Sequence, residues 1–187
     1  MKDPDLLLRY TEGQRFLFLQ EQCLNLIKKA LDPIIREFGL NHSQYVILMI
    51  LGYADRTGEQ VISTEISYLL GREKHTITPL VDSLERSGYL VRGQDPRDRR
   101  VISLTITQKG RDLIRTVQPL TYATVADIPL GSPEERAAFF RTLEAFRQSF
   151  ARKSGQDPEL FSGAYSRLLV AGERELLKGE GSAPKEE

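Results

Sequence analysis

Between Gln94 and Gly110 the chain reads QDPRDRRVISLTITQKG, and its first half sets Arg97, Asp98, Arg99 and Arg100 in close succession. Guanidinium groups packed this closely neutralise phosphate oxygens, and a planar guanidinium fits the narrow minor groove of DNA, where the negative potential is enhanced. A second collection lies upstream, in REKHTITPLVDSLERSGYL. There Arg72, Lys74, His75, Thr76, Thr78 and Arg86 combine bases with short polar groups, the donors and acceptors that meet base edges and phosphates in a major groove. Each collection alone has an ordinary explanation, because charged turns and solvated helix faces are common. The elements that carry them decide.

Other chemistries find less support. His42 and His75 have no Cys, His or carboxylate partner at ligand spacing in their local segments, so neither a metal site nor a cofactor is expected. The chain has no Gly-rich phosphate loop, no nucleophile elbow and no evident pair of catalytic acids, which argues against an enzyme. A single cysteine, Cys23, excludes an intramolecular disulfide. It has no basic residue one helical turn away to stabilise a thiolate, and it reads as a buried structural thiol. The 26 basic and 26 acidic side chains cancel, so a polyanionic partner must be recognised through local clusters. The apolar run Tyr45 to Leu51 is too short to span a membrane, and the start MKDPD lacks the order of a signal peptide. A cytoplasmic protein without a membrane partner is the expectation.

Helical periodicity dominates the elements. Leu17, Leu24, Ile27, Leu31, Ile34, Ile35 and Phe38 recur at helical spacing between Gln14 and Phe38, with a kink or restart expected at Pro33 and an end at Gly39. Ser43 reads as the N-cap of a central apolar helix through Leu51. Val61 and Ile62 form a minimal extended segment, and Ser63 or Thr64 with Glu65 opens a short helix that stops at Gly71. In the next helix Ile77, Leu80, Val81 and Leu84 form one buried stripe, which turns His75, Pro79, Asp82 and Arg86 outward. Pro79 either bends this helix or sits at its first position, in which case the helix begins near Thr78. Gly88 closes it. Tyr89 to Arg92 then start a strand answered by Val101, Ser103 and Thr105, a hairpin whose tip is the arginine cluster.

Three helices followed by a hairpin is the order of a winged helix-turn-helix, a mainly α fold with a small β wing. The second helix of the pair reads the groove and the tip reaches beside it. Ser63 and Thr64, at the start of the first helix of the pair, join the expected DNA contacts. Beyond the wing, Thr107 is a plausible N-cap, and Ser132, Pro133 and Glu135 form a capping-box start. Ala138, Phe139, Leu143, Phe146 and Phe150 follow as an apolar stripe that, with the N-terminal helix, reads as a two-chain interface. A further amphipathic helix is expected from Asp157 to Leu177, with Leu160, Phe161, Ala164, Tyr165, Leu168 and Leu169 on one face.

Together the segments LNHSQYVILMIL, VISTEISYLLG, HTITPLVDSLERSGYLVR, DPRDRR and LTITQKGRDLI resemble the MarR-type transcriptional regulators over most of Leu40 to Ile114. The family's hairpin signature, an Asp, any residue and an Arg, falls on Asp98 and Arg100. The resemblance implies a homodimer binding a roughly palindromic site on double-stranded DNA, with repression as the expected sign and a small molecule or an oxidant as the release signal. It implies an effector pocket between the dimer helices and the reading domain, with Phe38, His42, Tyr45 and Leu113 as candidate lining residues whose alternative role is core packing. The hydroperoxide-sensing branch shares Thr78-Pro79, but its sensing thiol aligns with Leu17 and its tyrosines with Glu21 and Leu31, so no peroxide-sensing role falls to Cys23. The expected division is a dimerisation region at residues 1–39, a reading domain at 40–106, dimerisation helices at 107–178 and a disordered tail at 179–187. The rival reading is a winged helix used for protein contact as an adaptor, without sequence-specific DNA binding.

Overall fold

The computed structural model describes residues 4–94, 101–126, 129 and 131–170. Its elements in chain order are α1 (Pro4–Glu37), α2 (His42–Thr57), β1 (Val61–Ile62), α3 (Ser63–Leu70), α4 (Lys74–Arg86), β2 (Leu90–Gln94), β3 (Ile102–Ile106), α5 (Gln108–Val125), α6 (Pro133–Lys153) and α7 (Pro158–Ala164), which gives way to a π-helical turn at Tyr165–Val170. Among the described residues no helix is long and apolar enough to cross a membrane.

The wing is part of a three-stranded antiparallel sheet in the order β1-β3-β2. Leu90 pairs with Ile106 and Gln94 with Ile102, while the two-residue β1 closes the other edge through Val61 opposite Leu104. Leu90, Leu104 and Ile106 are buried beneath it. They meet Ile77, Val81 and Leu84 of α4, which occupy the expected stripe, and the fully buried Ile47, Leu48 and Ile66 of α2 and α3. Among the described residues, α1 joins this core only near its end, through Leu31 and Ile35.

Several boundaries differ from expectation, each for a physical reason. α2 is capped by Asn41 and not by Ser43: the Asn41 side chain accepts from the Gln44 N–H at 3.0 Å and the Gln44 side chain accepts from the Asn41 N–H at 2.9 Å, a reciprocal box. The same helix runs six residues past Leu51 to Thr57, because Tyr53 and Ala54 extend its buried face, and it ends at Gly58 with φ 69°. α1 continues through Pro33 without restarting, and α4 begins at Lys74, so Pro79 lies inside the helix and not at its first position. An interior proline costs about 3 kcal/mol. Here Leu31 and Ile35 around one proline, and Ile77 and Val81 around the other, bury apolar surface that offsets the loss.

Thr107 and Ser132 cap α5 and α6 as expected, accepting from Gly110 and Glu135 N–H groups. The Thr107 hydroxyl also donates to the Gly88 carbonyl at 2.7 Å, tying the start of α5 to the end of α4. Of the expected helix Asp157–Leu177, α7 covers Pro158–Ala164 and passes into the π-helical turn at Tyr165–Val170; residues 171–177 lie outside the described residues.

Candidate nucleic-acid interface

The buried stripe of α4 fixes what the helix presents outward. Lys74, His75, Thr76, Thr78, Pro79 and Arg86 are all exposed, as is Arg72 in the turn leading in, while Ser63 and Thr64 are half-buried in the first turn of α3. Among the described residues, Arg72, Lys74 and Arg86 form no ion pair, so their charges are uncommitted. The threonines are less free: the Thr76 hydroxyl donates to the Glu73 carbonyl at 2.7 Å and that of Thr78 to the Lys74 carbonyl at 3.1 Å. Their oxygens remain available as acceptors. Pro79 has no N–H for the His75 carbonyl, and both residues are exposed, so that carbonyl is another acceptor on this face.

One residue of importance was not legible in the sequence. Arg92, on β2, donates to the Asp82 carboxylate at 2.5 Å and also to Glu85, and its backbone N–H donates to Glu85 at 3.1 Å. Asp82, expected to face outward with Arg86, is therefore spent on fastening α4 to β2. Partial burial disfavours the charge of Arg92, but its hydrogen bonds to Asp82 and Glu85 outweigh this and raise its pKa. A basic strand residue following two acidic residues on the preceding helix was the only available signal. Arg97, Asp98, Arg99 and Arg100, the expected hairpin tip, lie outside the described residues.

The four candidate effector-lining residues sit where α1, α2 and α5 meet. Tyr45 is buried and its hydroxyl lies 2.6 Å from that of Thr121, while Phe38 and Leu113 are half-buried against the core. Burial raises the Tyr45 pKa. The pKa of His42 is lowered, first by burial, then by Lys28 and Arg72 against the opposing effect of Asp32. Its Nδ1 and the Oδ1 of Asp32 are buried without hydrogen-bond partners among the described residues.

None of these four residues lines either of two cavities found among the described residues. One, of about 1010 Å³, opens between α1, α3, α6 and the π-helical turn, with Leu17, Tyr68, Leu70, Phe146, Phe150 and Tyr165 in its walls. The other, of about 330 Å³, lies between α2 and α5. Cys23, expected to be buried, is exposed instead, because the middle of α1 stands clear of the core, which among the described residues the helix joins at Leu31 and Ile35. Leu24, Leu26 and Ile27 beside it are exposed as well.

Comparison with known proteins agrees with this architecture. Residues 40–102 match the MarR family. YkoM of Bacillus subtilis (strain 168), described as an uncharacterized HTH-type transcriptional regulator, is 30% identical over 129 residues, which span 67% of this chain and 81% of that protein. CouR from Rhodococcus jostii RHA1, solved bound to p-coumaroyl-CoA, is 26% identical with a TM-score of 0.58, over 73% of this chain and 91% of that one. Sco3205, a MarR family transcriptional regulator from Streptomyces coelicolor solved in complex with DNA, has the same fold at a TM-score of 0.63 and 20% identity, over 74% of this chain and 88% of that one. The chain belongs to the MarR family of transcriptional regulators.

Proposed function

We propose that this regulator is a homodimer that binds a palindromic operator sequence-specifically in the cytoplasm, represses by occupying it, and is released by a small-molecule effector. The observation that carries the DNA reading is the outward face of α4 and the turn before it, where Arg72, Lys74 and Arg86 are exposed and, among the described residues, free of ion pairs beside His75, Thr76 and Thr78. Basic groups without acidic partners are available to displace counterions from phosphates, and the short polar groups between them suit base edges. Ser63 and Thr64, at the start of α3, are assigned to phosphate contacts, and Arg97, Asp98, Arg99 and Arg100 to the flanking minor groove.

The dimer reading rests on apolar surface. Phe18, Leu26, Phe139, Phe140 and Phe150 stand exposed along α1 and α6, more than a lone soluble chain normally leaves in water. Residues 1–39 and 107–178 are accordingly assigned to dimerisation and 40–106 to reading, although α7 and the turn after it pack on the reading domain. For the effector, His42 Nδ1 and Asp32 Oδ1 are buried hydrogen-bonding groups without a partner among the described residues, in the region where α1, α2 and α5 meet. CouR, solved with p-coumaroyl-CoA, supports a small molecule in this role.

Selection of bound fragments from genomic DNA, followed by footprinting and titration at several salt concentrations, tests the proposal. The expected result is a footprint of two half-sites about one helical turn apart, with affinity that falls steeply as salt rises. Salt-independent binding, or none, would instead favour a winged-helix protein adaptor.

A further inference from the structure

The segment after α6 turns back onto the reading domain. α7 packs on α3 and the π-helical turn packs on α2. Leu168 is fully buried and Ala164 nearly so, both within the cluster that holds Leu48 and Ile66. Beside Leu168, Arg167 donates through Nη1 to the Glu59 carboxylate at 2.8 Å and to the Gln60 carbonyl at 3.0 Å, and through Nη2 to Glu65. The second oxygen of Glu65 accepts from the Ile62 N–H at 3.0 Å, where α3 begins. One guanidinium thus holds the turn that leaves α2 and, through Glu65, the first turn of α3. π-helical turns are uncommon and recur at functional places.

We propose that Arg167 is a positioning residue for DNA reading: it locks α3, the first helix of the helix-turn-helix, in the orientation from which α4 meets the groove. α3 ends at Leu70 and α4 begins at Lys74, so a rotation of α3 is passed to Arg72, Lys74 and His75 across a very short turn. The segment that carries Arg167 follows α6, so it links that helix to the reading domain by a second route besides α5. Arg167 acts from outside the reading face. The Arg167 side chain is 35% exposed and that of Glu65 18%, so solvent screens this network less than a fully exposed pair. This inference rests on the DNA-binding proposal.

The test uses the full chain as wild type, Arg167→Ala, Arg167→Lys and Glu59→Gln. Each is titrated on DNA that the wild type selects from a random library, at a temperature where circular dichroism shows all four fully folded. Amide hydrogen exchange of residues 63–70 is followed without DNA. Arg167→Ala is expected to weaken binding about tenfold, because an unsupported reading element loses its alignment. The salt dependence should stay unchanged, since no phosphate contact is removed, and exchange in α3 should accelerate. Lysine, a point charge in place of a fork, should restore part of the affinity, and Glu59→Gln should give a smaller loss, on the order of threefold. Should Arg167→Ala fail to fold, Glu59→Gln decides the matter alone.

Affinity of the folded variants within twofold of wild type would reduce Arg167 to a stabilising contact and overturn the proposal. A salt slope lowered by about one would make it a phosphate contact instead. If the wild type selects no DNA, the DNA-binding proposal fails by itself, and exchange in α3 still reports separately: unaltered rates in the variants would show that Arg167 does not lock the helix.

Discussion

The Arg92 guanidinium reaches from β2 to the Asp82 carboxylate of α4 at 2.5 Å, joining the wing to the outer flank of the reading helix. With Glu85 on the same guanidinium, α4 and β2 are held in one relative orientation. Arg92→Ala is expected to cost about 1 kcal/mol of stability, a figure kept small because the Asp82 and Glu85 side chains are substantially exposed. It should also weaken operator binding several-fold. Arg92→Lys should not recover the affinity, since one ammonium cannot match a fork between two carboxylates. Urea unfolding and anisotropy titrations on the same protein samples check both parts.

Gly110 marks where α5 crosses the entry to the wing. A Cβ there would lie 2.2 Å from the Tyr89 carbonyl oxygen and 2.7 Å from Ile106 Cγ1, and the carbonyl is held in place by the Thr107 N–H at 3.0 Å. Gly110→Ala should therefore destabilise the protein by about 2 kcal/mol despite alanine's better helix propensity, because backbone must move. A thermal midpoint equal to or above that of wild type would contradict this.

The exposed apolar residues of α1 and α6 give the dimer proposal a direct test. Leu26→Glu and Phe139→Glu, at positions 59% and 51% exposed, should leave helix content intact and shift sedimentation velocity from dimer toward monomer. DNA affinity should fall with the dimer, because one half-site contact replaces two. Unaltered sedimentation in both variants would place the interface elsewhere.

His42 gives the protein a pH-sensitive term. Burial, Lys28 and Arg72 outweigh Asp32 and hold its folded pKa below the ordinary value of 6.5. The unfolded chain then binds the proton more readily, so stability is lost as pH falls from about 6.5 through the lower folded pKa. Urea unfolding between pH 7.5 and 5.5 should show this decline, and His42→Gln should flatten it. A decline of the same slope in the variant would assign it to other groups.

Local pattern alone made much of this protein legible. The spacing of Ile77, Val81 and Leu84 marked the buried side of the reading helix, and Thr107 and Ser132 announced the starts of α5 and α6, because helical faces and caps depend on residues within a turn of one another. The hairpin followed from alternation and Gly88 in the same way. The pairing of β1 with β3, the union of Arg92 with Asp82 and Glu85, and the return of the C-terminal segment were settled only by tertiary structure. Arg167 finds Glu59 across 108 positions, and no short-range pattern encodes which of many acidic residues a given arginine will meet. Cys23 makes the same point from the other side: its neighbours on α1 are apolar enough to suggest burial, but burial requires an opposing surface, and among the described residues of one chain that part of α1 has none.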